Sequence, residues 1–163
     1  MFSCIAGSKA ISVCSSPDLS VTTGYMQYRR GALGKEPDLA YPKKGASPQR
    51  AFSYFYDGYA KGSTRQLSFT VRDFTYILFS ERHVNEWSGS GVVVEKLGKR
   101  IATLRCDDKT IQGEFKKIES VELPAAQWRD LGVQRPNSTP HTDARDAQRV
   151  TGSPAARAGG RGR

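Results

Sequence analysis

The clearest hydrophobic pattern in the chain lies between Arg65 and Cys106. Leu67, Phe69 and Val71 alternate with Gln66, Ser68 and Thr70, the period of two expected of a strand with one buried face. Arg72-Asp73 interrupts the alternation. Phe74 to Phe79 is then apolar or aromatic on both faces, with Tyr76 and Leu78 on one side and Thr75, Ile77 and Phe79 on the other. Burial on both faces predicts a central strand. A polar link through Trp87 leads to a second pair, Val92-Val93-Val94 and Ile101 to Leu104, joined around Leu97-Gly98. For this hairpin the sequence favours a type I turn closed by Gly98 as a left-handed bulge residue. A two-residue turn would hold Leu97 at positive φ and set Lys96 opposite Lys99. The favoured register places Glu95 opposite Lys99 and Val93 opposite Ile101. Lys96, Lys99 and Arg100 then read as charges that keep a sheet edge soluble.

Elsewhere the pattern is shorter but of the same kind. Residues 2 to 15 predict a hairpin turning at Ala6-Gly7-Ser8-Lys9, and Ser15-Ser16-Pro17-Asp18 predicts a turn. Tyr25 to Arg30 fits a strand, Gly31 to Lys35 a turn, and Asp38 to Tyr41 a short strand stopped by Pro42. Lys43 to Gln49 reads as a polar loop. Ala51 to Tyr59 is the most aromatic stretch, with Phe52, Tyr54 and Tyr56 on one face and Ser53 and Phe55 on the other. Beyond Cys106, apolar residues at 111, 115, 118 and 121 predict a short helix ended by Pro124. From Ala125 only Trp128, Leu131 and Val133 offer anchors. Pro136 to Arg163 is too poor in large apolar residues to offset its ordering entropy. The division expected is an antiparallel β domain over 1–122, including the helix, and a mostly disordered basic tail over 123–163. Short strands, tight turns and the lack of crossover helices point to an all-β barrel or sandwich.

Composition refines this picture. The 163 residues are enough for one domain with a core, and 37% hydrophobic against 25% charged predicts that most of it folds. Nothing approaches the roughly 18 apolar residues of a membrane-spanning helix. No secretory signal precedes the first strand, which reads either as a cytosolic start or as a sequence lacking its true beginning. The net charge of +9 is unevenly placed: residues 123–163 hold seven Arg against three Asp. The globular part is only mildly basic, which permits attraction to nucleic acid or anionic membrane without indicating it.

Three cysteines stand at 4, 14 and 106. Their spacing, with His83 and His141 the only histidines, does not fit a zinc site. Cys4 and Cys14 flank a turn between two short strands, an arrangement able to bring the sulfurs together. A Cys4–Cys14 disulfide would imply an oxidising compartment and leave Cys106 over. The alternative is three buried, reduced thiols.

Motifs for chemistry are weak. Gly31-Ala32-Leu33-Gly34-Lys35 lacks the spacing and the following Ser or Thr of a phosphate loop. Gly89-Ser90-Gly91 lacks the earlier glycine of a nucleophile elbow, so Ser90 reads as a flexible lead-in to Val92. A Ser-His-acid triad would have to draw on His83 or His141. Asp107-Asp108 reads as a cap or turn. No catalytic residue, cofactor or metal is assigned, and a binding role is the stronger expectation.

Two binding readings follow. Aromatics interleave with basic residues at Tyr25, Tyr28, Arg29, Arg30, Tyr54, Phe55, Tyr56, Lys61 and Arg65, as on a sheet that stacks bases, though the same rings would also build a small β core. The basic tail could attach to phosphates non-specifically. The other reading is an extracytoplasmic module that binds a protein or an envelope component. Phe2-Ser3-Cys4, Ile11-Ser12-Val13-Cys14, Tyr25-x-x-Tyr28-Arg29, Gly91-Val92-Val93-Val94, Gly98-Lys99-Arg100 and Cys106 resemble small secreted or periplasmic proteobacterial β-domain proteins of unknown function. The resemblance spans about residues 2–107. It implies a signal peptide and a further cysteine upstream, which this sequence does not contain. A fainter similarity, through Phe2, Cys4 and Gly7, is to the periplasmic inhibitors of c-type lysozyme. Tyr76 to Phe79 does not reproduce their inhibitory loop, so that similarity implies architecture alone. The expectation adopted is a monomeric, non-enzymatic envelope binding module stapled by Cys4–Cys14, with a cytosolic nucleic-acid-binding domain as the alternative. Arg82, His83 and Trp87 are the candidate partner-binding residues, since Trp and Arg are enriched in interface hot spots.

Overall fold

A computed structural model describes residues 1–43, 46–84 and 88–131. The strands are β1 (Phe2–Ala6), β2 (Lys9–Ser15), β3 (Met26–Ala32), β4 (Leu39–Tyr41), β5 (Ser53–Tyr59), β6 (Gly62–Val71), β7 (Phe74–His83), β8 (Ser88–Lys96), β9 (Lys99–Arg105) and β10 (Gln112–Gly113). Helix α1 (Pro48–Ala51) precedes β5, and α2 (Lys116–Glu119) follows β10. The strands form two five-stranded antiparallel sheets, in the orders β10-β1-β2-β3-β4 and β5-β6-β7-β8-β9. The fold is a β-sandwich rather than a closed barrel.

Alternation puts Phe2, Cys4, Ile11, Val13 and Tyr28 of the first sheet on the inner face, opposed by Leu67, Phe69, Tyr76, Leu78, Val92 and Val94 of the second. An aromatic cluster joins the two layers. Phe69 stacks on Tyr41 and on Tyr76 at 4.8 and 5.0 Å, and Tyr28 and Phe52 lean on Phe69 at 4.9 and 5.5 Å. β7 is the middle strand of its sheet and is buried on both faces, as its sequence predicted: Ile77 and Phe79 on the outer face are as inaccessible as Leu78 on the inner.

The outer face of the second sheet is crossed by the segment after α2. Pro124 and Ala126 pair in parallel with Tyr54 of β5, through bonds of 2.9 and 2.8 Å. Further along, the buried Gln66 amide of β6 grips the Arg129 backbone, donating to its carbonyl at 2.8 Å and accepting from its N–H at 3.3 Å. Arg129 Nη1 reaches Glu95 of β8 at 2.6 Å, and Arg100 of β9 donates to the Asp130 carbonyl at 3.3 Å. Residues 124–131 thus form a strap over the face that holds Ile77, Phe79 and Val93, and Leu131 is buried. The domain therefore runs to Leu131, beyond the boundary at 122 expected from composition. The expected helix is also shorter, a single turn at 116–119. Ile111 instead follows a 3-10 turn capped by the Asp107 carboxylate. Pro136 to Arg163 lies outside the described residues.

The expected disulfide is replaced by another. Cys4 bonds Cys106, 102 residues away, and Cys14 is free. The reason is the pleat. The turn at Gly7-Ser8 pairs Cys4 with Ile11, so Ile11 and Val13 face inward with Cys4 while Cys14 faces outward. Cys14 pairs with Gln27 in β3, and its thiol lies 3.6 Å from Ser12 Oγ.

The β8–β9 register also differs from expectation. Lys96 stands directly opposite Lys99, and Leu97 and Gly98 adopt φ of +50° and +78°, the signature of a two-residue type I′ turn. The irregularity falls between Val94 and Glu95 instead, setting Glu95 opposite Arg100 and Val93 opposite Thr103. Tertiary contacts outweigh the local cost. Leu97 N–H donates to the Asp73 carbonyl of the neighbouring hairpin at 3.0 Å. The Lys96 ammonium sits 5.5 Å above the Phe74 ring, and Glu95 serves Arg129.

Candidate functional site

Along β6, β7 and β8 the inner face changes character at one end. The apolar run Leu67, Leu78, Val92 gives way to Ser63, Arg65, Ser80, Arg82 and Ser90, all by the same period of two. The register sets Ser63 beside Arg82, Arg65 beside Ser80, and Ser80 beside Ser90. These side chains form one wall of a cleft of about 360 Å³. The other wall is Phe2, Ile111, Gly113, Glu114, Phe115 and Lys116. Phe2 and Phe115 meet edge to face at 4.7 Å and are buried. Gly113, at φ +76°, lies so close to the Met1 carbonyl that a Cβ would overlap it, so the wall is shaped around a glycine.

Arg65 is fixed from three sides. Its Nε donates to Glu119 Oε1 of α2 at 2.9 Å, its Nη1 donates to Ser63 Oγ at 2.7 Å, and its guanidinium lies 4.6 Å over the Tyr56 ring. Tyr54 O–H donates to the same Glu119 carboxylate at 3.3 Å. Burial, and after it the Glu119 charge, push that phenol above its ordinary value. Arg82 differs: it is exposed at the mouth, and its side chain forms no hydrogen bond or ion pair among the described residues. The Ser80 and Ser90 hydroxyls are likewise without side-chain partners there, although Ser90 is buried, within β8 rather than in a flexible lead-in. A second opening of about 310 Å³ at the aromatic end is lined by Arg129, Thr70 and Thr75. There Glu95 already engages Arg129, and the two threonine hydroxyls bond each other at 3.2 Å.

The disulfide ties the two walls together. Cys4 lies two residues beyond Phe2 on β1, and Cys106 N–H donates to the Ser90 carbonyl at 2.9 Å.

Of the candidates read from sequence, Arg82 lines this cleft. His83, its neighbour, faces outward, its Nε2 2.9 Å from the Tyr59 hydroxyl. The structure therefore does not bring the two together on one face. Trp87 lies outside the described residues. The basic-aromatic set is spread over both sheets: Tyr28 is in the core, Tyr54 is tied to Glu119, and Arg29 donates to Gln27 at 2.8 Å. Sequence reasoning missed Ser63, Ser80, Ser90 and Lys116. The available signal was polar residues recurring at inner-face parity near the strand ends.

Among the described residues, no group of three or more His, Cys, Asp or Glu is placed to hold a metal ion, and no helix is long and apolar enough to cross a membrane. No protein-family model, no curated protein and no solved structure matches the chain.

Proposed function

We propose that this domain is a non-enzymatic binding module of the bacterial envelope or extracellular space, which takes a group of its partner into the serine-arginine cleft. The observation that carries the reading is Arg82, an exposed guanidinium without a partner among the described residues, at the mouth of a cleft lined by three serines. A side chain with five N–H donors, none of them committed to another side chain among the described residues, at a concave site is suited to recognition rather than to folding. The disulfide supports an oxidising compartment, where such bonds persist. The resemblance to secreted or periplasmic β-domain proteins points the same way.

The test is capture from envelope extract on the immobilised, oxidised domain, comparing the original chain with Arg82→Ala. A partner retained by the first and lost by the second supports the reading. Equal retention by both, or retention only of RNA or DNA in a manner that collapses as salt rises, would overturn it in favour of a nucleic-acid-binding domain.

A further inference from the structure

We infer that the group recognised in this cleft is a single, singly charged oxyanion, a carboxylate or a phosphodiester. This rests on the cleft being the binding site.

The inference comes from charge and from hydrogen-bond direction. Among the described residues, the cations at the cleft are Arg65, Arg82 and Lys116; the anions are Glu114 on the rim and Glu119 behind Arg65. Glu119 neutralises Arg65, and Glu114 offsets one of the other two cations. One positive charge remains, which suits one negative charge and not a run of phosphates. Arg82 supplies the planar fork that pairs with two oxygens of an oxyanion.

The serines add donors. Ser63 Oγ accepts from Arg65 Nη1, which leaves its own O–H to donate elsewhere. Ser80 and Ser90, cross-strand neighbours, have hydroxyls free to turn toward the same point. Arg65 itself is held by Glu119 and Tyr56, so this wall is set before a ligand arrives.

The experiment is an NMR titration of the full oxidised chain at constant ionic strength with acetate, dimethyl phosphate and tripolyphosphate. Saturable shifts at Ser63, Ser80, Arg82 and Ser90 are expected with one or both monoanions, at dissociation constants of about 1–30 mM. The tighter of the two identifies carboxylate or diester as the source. Arg82→Gln should weaken binding about tenfold, the loss of one charge-assisted hydrogen bond. Lys116→Gln, on the opposite wall, should weaken it less. Absence of saturable shifts with both monoanions, unchanged affinity in Arg82→Gln, or tripolyphosphate bound more than about thirtyfold tighter would overturn the inference. Loss of partner capture in Arg82→Ala without any monoanion binding would leave the binding-module reading standing and remove this one.

Discussion

The backbone N–H of Cys106 donates to the carbonyl of Ser90 at 2.9 Å, so the residue that closes the disulfide is also hydrogen-bonded to a residue of the cleft wall. Covalent staple and candidate site are one local structure. Breaking the bond by Cys4→Ser or Cys106→Ser should lower stability by about 2–5 kcal/mol, the range for removing a native disulfide that closes a long loop. Denaturant unfolding measures this. The same variants should lose anion-dependent shifts at Ser90 before they lose the fold. In the native oxidised chain, thiol alkylation should modify one residue, Cys14. Cys14→Ser should stay within about 0.5 kcal/mol of the original.

Tyr28 carries a buried hydroxyl with no hydrogen-bond partner among the described residues. Burial holds its phenol far above the ordinary value, a sign of how poorly the site solvates charge. Tyr28→Phe keeps the ring against Phe69 and removes the unsatisfied group. It should stabilise the domain by about 1 kcal/mol, read as a higher denaturant midpoint with unchanged slope. A loss of stability would mean that the hydroxyl is satisfied.

The strap depends on two side chains. Gln66→Ala would leave both the N–H and the C=O of Arg129 without their partners, at a cost of about 2 kcal/mol. Arg129→Ala would strand the largely buried Glu95 carboxylate, with a similar penalty. The two losses should not add, because each loosens the same segment. Hydrogen exchange should quicken at Tyr54 and Ala126 in both variants, while β1 to β3 remain protected.

Glu81 sits half-buried on the outer face of β7. Burial raises its carboxyl above the ordinary 4.5, Asp130 adds to the rise, and Arg105 opposes it. The folded state therefore holds this proton more tightly than the unfolded chain, and stability contributed here falls as pH rises through the folded value. Glu81→Gln should gain stability at neutral pH. That gain should vanish as pH falls below the unfolded value, where the carboxyl is protonated in both states. Thermal melts between pH 3.5 and 7 on both chains would show it; an advantage that does not change with pH would contradict it.

The strands were legible because period-two alternation and turn residues act locally. Leu67 to Val71, the doubly buried Phe74 to Phe79 and the hairpin over 2–15 all stand where the pattern put them. The errors share a different origin. Leu97 is held at positive φ by Asp73 of a neighbouring hairpin, a contact with no local signature. The strap was missed because its residues are mostly small or polar. Its need was nevertheless written in Ile77 and Phe79, which require cover on the outer face. The sulfur pairing was decidable in principle. Once the turn falls at Gly7-Ser8, Cys14 has the wrong parity to share a face with Cys4. The cleft was half visible: Arg82 was singled out through the enrichment of arginine in interface hot spots, but its serine neighbours become a wall only when three strands align.

The pleat that turns Cys14 away from Cys4 also governs the order in which the chain can oxidise. During synthesis Cys14 is the first thiol within reach of Cys4, and the rightful partner emerges about a hundred residues later. A hairpin closes in microseconds, whereas disulfide chemistry takes seconds or longer. If β1 and β2 pair as soon as they are free, Cys14 is carried to the far side of the ribbon before an oxidant can join the nearer couple. In that order of events the paired first two strands leave Cys4 a single reachable partner, the sulfur at Cys106 that follows β9.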